Sequence, residues 1–120
     1  MEIKVLHVYT GDDGESHFED IYIPLDTKRG KFRESKSIQV TGMHFVELDN
    51  NDNGLVVDWH NASRRQILIS LEGENEQEIS DGTKRTLKPG DIFWAEDTTG
   101  KGHITRWSKG HHTVLAVTID

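Results

Sequence analysis

Apolar residues in this chain recur at every second position and almost nowhere with a spacing of 3.6, a pattern that suits strands and excludes amphipathic helices. The chain therefore reads as all-β. Alternating runs over Ile3–Tyr9, Phe18–Leu25, Ser37–Leu48, Gly54–His60 and Gln66–Leu71 predict strands, followed by shorter ones over Glu76–Ile79, Arg85–Leu87, Ile92–Glu96, Gly102–Trp107 and His112–Ile119. Turn chemistry separates them: the polar cluster Asp49–Gly54, the Asp81-Gly82 pair and Lys88-Pro89-Gly90-Asp91 are each poor strand and good turn formers. Asp26–Lys36, with the basic residues Lys28, Arg29, Lys31, Arg33 and Lys36, lacks the alternation and reads as a loop or a short helix.

Length and charge narrow the choices. At 120 residues the chain suits a single domain, with a hydrophobic fraction of only 33% and therefore a thin core. Fourteen basic against 21 acidic residues give a formal charge of −7, which repels phosphate backbones and anionic lipid, so neither nucleic acid nor a membrane is an expected partner. The absence of cysteine removes disulfides, thiolate metal sites and a cysteine nucleophile. No apolar run is long enough for a membrane helix and the N-terminus alternates, unlike a signal peptide, so a cytoplasmic protein is expected. Many short strands with exposed edges to manage favour a closed barrel or a two-sheet jelly roll over an immunoglobulin-like sandwich, whose usual Cys–Trp–Cys core is missing.

From Asp58 to His103 the sequence resembles the cupins, small β-barrels with two short motifs separated by a brief spacer. Gln66, six residues and Gly73 follow the spacing of the first motif, with glutamine on the position usually held by glutamate, and Asp58-Trp59-His60 supplies the spaced pair that is usually two histidines. Pro89-Gly90-Asp91, a strand and Gly100-Lys101-Gly102-His103 resemble the second motif, with His103 on the last histidine position. The resemblance implies a cupin-type double-stranded β-helix, a jelly-roll barrel of roughly ten short antiparallel strands forming one domain over residues 1–120.

It also implies where chemistry would sit. Strand alternation gives Asp58 and His60 one face, with Val57 and Trp59 on the other, and groups Gln66 with Ser70. In a cupin those polar faces, His103 and His44 would look into the barrel. One reading is a divalent transition metal (Fe, Mn, Ni or Zn) held by His60, His103 and Asp58 or His44, with Gln66 as a weak ligand or outer-shell partner, acting on a small oxygen-rich molecule. In that reading Arg64 would hold a substrate carboxylate; the other is a metal-free pocket that binds a small polar ligand through His60, Gln66 and His103 as hydrogen-bond groups, with His44 and Ser70 as further ligand-binding candidates. The loop from Glu96 to His103 forms either a mouth that closes over the ligand or a hairpin turn, and His111-His112 belong to the surface. Ile67, Ile69 and Leu71, opposite Gln66, face outwards and need a cover, supplied by the N-terminal strands or by a two-fold partner in a homodimer.

Overall fold

The computed structural model describes residues 1–50 and 53–120; the Asn51-Asp52 part of the expected Asp49–Gly54 turn lies outside the described residues. Twelve strands and no helix occur among them. In chain order these are β1 (Glu2–Thr10), β2 (Ser16–Pro24), β3 (Thr27–Arg29), β4 (Phe32–Glu34), β5 (Gly42–Asn50), β6 (Leu55–His60), β7 (Gln66–Glu72), β8 (Asn75–Glu78), β9 (Lys84–Leu87), β10 (Ile92–Glu96), β11 (His103–Trp107) and β12 (Gly110–Thr118).

Eight of these strands make a jelly roll: β5-β12-β7-β10 form one sheet and β6-β11-β8-β9 the other, an order in which successive strands alternate between sheets except at the β8–β9 hairpin. The N-terminal hairpin extends the first sheet on its β10 side, giving the six-stranded order β2-β1-β10-β7-β12-β5. Its β1 runs parallel to β10, with Leu6 opposite Phe93 and Val8 opposite Ala95, so the barrel is not wholly antiparallel. The N-terminal strands thus lie beside the sheet and do not cover its outer face, where Ile67 and Ile69 stay half-buried and Leu71 exposed.

Period two explains the core. Leu6 and Val8 on β1 share a face with Phe93 and Ala95 on β10, and they pack with Ile79, Leu87 and Ala62, flanked by Phe18 and Leu68. Asp26–Lys36 holds neither a loop alone nor a helix. It contains the β3–β4 hairpin, whose turn passes through Gly30 at φ +60°, and every residue of 26–34 is exposed.

One irregularity decides the site. His103 pairs with His60 and Thr105 with Val57, so three steps on β6 answer two on β11 and β6 carries a β-bulge. A bulge breaks the two-residue alternation. Val57 and His60, which strict alternation sets on opposite faces, both line the interior, and Asp58 is turned out to solvent.

Candidate functional site

Between the two sheets lies a cavity of about 310 Å³. The four-stranded sheet contributes Val57 and His60 from β6, His103, Thr105 and Trp107 from β11, Asn75 and Gln77 from β8, and Leu87 from β9. Gln66, Leu68 and Ser70 from β7, Phe93 and Ala95 from β10, and Val114 from β12 form the opposite wall, and Asn61, Ala62 and Ser63 the rim. Among the described residues that line it there is no Lys, Arg, Asp or Glu.

His60 and His103 stand side by side, with ring centroids 4.4 Å apart. Gly102 permits this approach. Its φ is +81°, and a Cβ there would come within 2.1 Å of the His60 carbonyl oxygen, so only glycine lets the end of β6 rest against the chain entering β11. Gly73, the glycine of the first motif, has a related duty: at φ +84° it packs against the ring of His112, which a Cβ would meet at 2.2 Å. His112, expected at the surface, is therefore buried, while His111 is exposed.

Each of the two cavity histidines has one ring nitrogen committed. His60 donates Nδ1–H to the carbonyl oxygen of Asp58 at 2.8 Å, since a carbonyl can only accept. His103 donates Nδ1–H to Asp97 Oδ2 at 2.5 Å, and Ser16 Oγ donates to the same oxygen at 2.8 Å. Asp97 is completely buried and His103 is 4% exposed. The neutral tautomer of both rings thus has a bare Nε2, able to accept a hydrogen bond or a proton. A proton gained at His103 would make its contact with Asp97 an ion pair.

The loop that carries Asp97 is pinned on both sides. Asn61 Nδ2 donates to the carbonyls of Thr99 and Gly100 at 2.9 and 3.0 Å, and Ala62 N–H to that of Asp97 at 3.1 Å. From the other side Thr10 Oγ1 donates to Thr99 O at 2.9 Å and Lys101 N–H to Gly14 O at 2.9 Å. With five such bonds the loop is tied to its neighbours behind His103.

Four of the expected site residues therefore meet in the cavity: His60, His103, Gln66 and Ser70. Three do not. Asp58 is exposed, its Oδ1 accepting the Trp59 N–H at 2.9 Å. His44 pairs with Ala116 on the inner side of β5, but β5 is the last strand of its sheet and His44 is exposed there. Arg64 lies just before β7 and is exposed, outside the cavity lining. Asp97 and Ser16 were not singled out. The one signal for Asp97 is an acid six residues before a motif histidine; Ser16 carries none.

A jelly roll with the first-motif glutamine and the second-motif histidine facing one interior cavity settles the architecture. This is a cupin fold. Among solved structures, the chain is similar to a protein of Neisseria meningitidis (15% identity, 75% of this chain and 90% of that one, TM-score 0.49). A cupin-2 domain containing protein of Shewanella frigidimarina shares 16% identity over 74% of this chain and 85% of its own, with a TM-score of 0.47. A Salmonella typhimurium protein described as an ethanolamine utilization protein Q shares 14% identity over 98% and 95%, with a TM-score of 0.42. The sequence matches no family profile and no curated protein. No helix among the described residues is long and apolar enough to cross a membrane.

The donors in this cavity do not fit a resident divalent ion. Nδ1–H groups tied to a carboxylate and a carbonyl are what a metal's outer shell provides. The inner shell falls short: two imidazoles and the neutral amide of Gln66, without an anionic ligand. Asp97 already serves His103, and its second oxygen, buried without a partner, belongs to a residue outside the cavity lining. No group of three His, Asp or Glu side chains able to hold a metal occurs among the described residues.

Proposed function

We propose that this cupin is a metal-free binding module for a small uncharged molecule carrying hydroxyl, carbonyl or amide groups on an apolar frame. The observation that carries the reading is the cavity lining: polar at His60, Gln66, Ser70, Asn75, Gln77, Thr105 and His103 and, on the rim, Asn61 and Ser63, apolar elsewhere, and without a fixed charge among the described residues. An ion brought into such a site would lose its hydration with no counter-charge, a cost of several kcal/mol.

Hydrogen-bond demand is already ordered on one wall. Thr105 Oγ1 donates to Gln77 Oε1 at 2.8 Å, and Gln77 Nε2 donates to Asn75 Oδ1 at 2.6 Å. These three groups form a chain with a fixed direction, and the Nε2 atoms of His60 and His103 add two acceptors. A ligand donor such as a hydroxyl or an amide N–H would therefore be oriented towards the histidines. The volume lies at the small end of ordinary ligand sites, about 300–1,000 Å³.

The test is an NMR titration with matched fragments, benzamide against benzoate, on protein freed of metal by chelation. Benzamide is expected to shift the His103 and Gln66 resonances, and His103→Ala to abolish that response. Preference for benzoate would defeat the uncharged-ligand reading. Uptake of one equivalent of Fe, Mn, Ni or Zn that His103→Ala removes would replace the metal-free reading with the metal-dependent one.

A further inference from the structure

One segment of the fold takes no part in the barrel. Strands β3 and β4 pair only with each other, and every residue from 26 to 34 is exposed, Phe32 at 68%. A two-stranded hairpin with no packed face is marginal on its own and gains from a partner that orders it. Its charge is also the reverse of its surroundings. Lys28, Arg29, Lys31, Arg33 and Lys36 against Asp26 and Glu34 give residues 26–36 a charge of +3, which leaves −10 on the remaining residues of a chain whose total is −7.

The two faces of the hairpin differ. On one, Arg29 pairs with Glu34 at 2.8 Å and lies 6.0 Å from the centroid of the Phe32 ring, so its charge is matched within the hairpin. On the other, Lys28 and Arg33 stand directly opposite each other in the register. Among the described residues neither of them, nor Lys31 or Lys36, forms an ion pair. Like charges directly opposite destabilise a strand pair, and nothing in the chain offsets this one.

We infer that the hairpin is a docking arm for an extended acidic segment of another protein, with a carboxylate of that segment settled between Lys28 and Arg33. An anion there turns one repulsion into two attractions, and the Arg33 guanidinium can hold it through two parallel N–H donors. Each of the two strands also has an unpaired outer edge, to which such a segment can add as a third strand.

Other polyanions suit the arm less well. Strands of three residues reach about 10 Å, so a phosphate backbone or an anionic lipid plane laid on the hairpin also meets the −10 body at about one Debye length. A short segment touches the arm alone. A second copy of this chain is a poor occupant because carboxylates of its acidic stretches are tied within the chain: Asp20 by Arg85, and Glu76 and Glu78 by Arg106.

The test is fluorescence anisotropy with labelled hexaglutamate and hexaglutamine peptides at low salt. Wild type is expected to bind hexaglutamate about tenfold or more tightly than hexaglutamine. Lys28→Glu combined with Arg33→Glu should remove that preference, and Arg33→Gln alone should weaken it, while thermal melts and the cavity response to benzamide stay as in wild type. Lys28→Arg combined with Arg33→Lys should retain it. Equal binding of the two peptides overturns the proposal, as does a preference that survives the charge reversal. Tighter binding of a thymidylate hexanucleotide or of phosphatidylserine vesicles than of hexaglutamate would assign the arm to phosphates. A doubled mass by light scattering that the charge reversal halves would assign it to a second copy, and either result overturns the acidic-segment reading.

Discussion

The histidines inside the barrel and those on its outer surface are held by opposite arrangements. Inside, His60 and His103 each commit one nitrogen and leave the other bare towards the cavity. Outside, His7 and His111 have both nitrogens occupied. His7 lies between Glu19 at 2.8 Å and Glu96 at 2.6 Å, and His111 between Glu72 and Glu47, the latter at 3.0 Å. The outer rings act as ties: His7 links β1 to β2 and β10, and His111 links β12 to β5 and β7. A histidine with a bare nitrogen facing a cavity can serve a ligand, whereas one clasped by two carboxylates serves the sheet. Counting histidines in the sequence cannot separate these roles.

The contrast can be broken most severely at Asp97. Replacing it with alanine strands the buried Ser16 hydroxyl and the His103 Nδ1–H at once, an expected loss of about 3 kcal/mol from two unsatisfied groups, read from denaturant melts. Binding should vanish with it, because His103 loses the partner that fixes its tautomer. Gly102→Ala comes next: a strained positive φ and a Cβ against the His60 carbonyl should cost about 2 kcal/mol and separate the two rings, visible as altered His60 and His103 resonances. Ser16→Ala removes one donor and leaves Asp97 bound to His103, so a loss of about 1 kcal/mol with the histidine tautomer preserved is expected. If Ser16→Ala cost as much as Asp97→Ala, the hydroxyl and the carboxylate could not have separate duties.

The mildest effect belongs to the outer ties. Hydrogen bonds that His111 donates to Glu47, then to Glu72, raise its pKa above its ordinary 6.5. Its folded value thus exceeds its unfolded one, so the stabilisation is complete below about pH 6.5 and is lost as pH climbs through the raised value. Thermal melts of wild type and His111→Gln should differ below that range and converge above it, with the cavity response to benzamide unchanged throughout. A variant that lost fragment binding would show that the outer ties also shape the cavity.

Period two and turn residues made the strands and the barrel legible, because burying one face of a strand leaves a mark at every other position. Motif spacing likewise led to His60, Gln66 and His103. What alternation could not reveal was the bulge in β6, which keeps the same residues but shifts their facing, so Asp58 was expected inside and lies outside. His44 was misjudged for a different reason: its neighbours are apolar, but burial depends on a covering element, and an edge strand lacks one on one side. The Ser16–Asp97 contact joins residues 81 apart and leaves no local pattern.

That same separation sets a clock on the protein's synthesis. Strands β1 and β2 precede the rest and can pair with each other at once, yet β1 must wait for β10 before it can join the sheet, and Ser16 must wait for Asp97. At about 5–20 residues per second, 81 residues amount to roughly 4–16 s during which the N-terminal hairpin has no sheet to join. The carboxylate behind His103 is enclosed only when that hairpin returns, so closure of the binding site belongs to the last events of folding and a chain stalled short of β10 would have none of it.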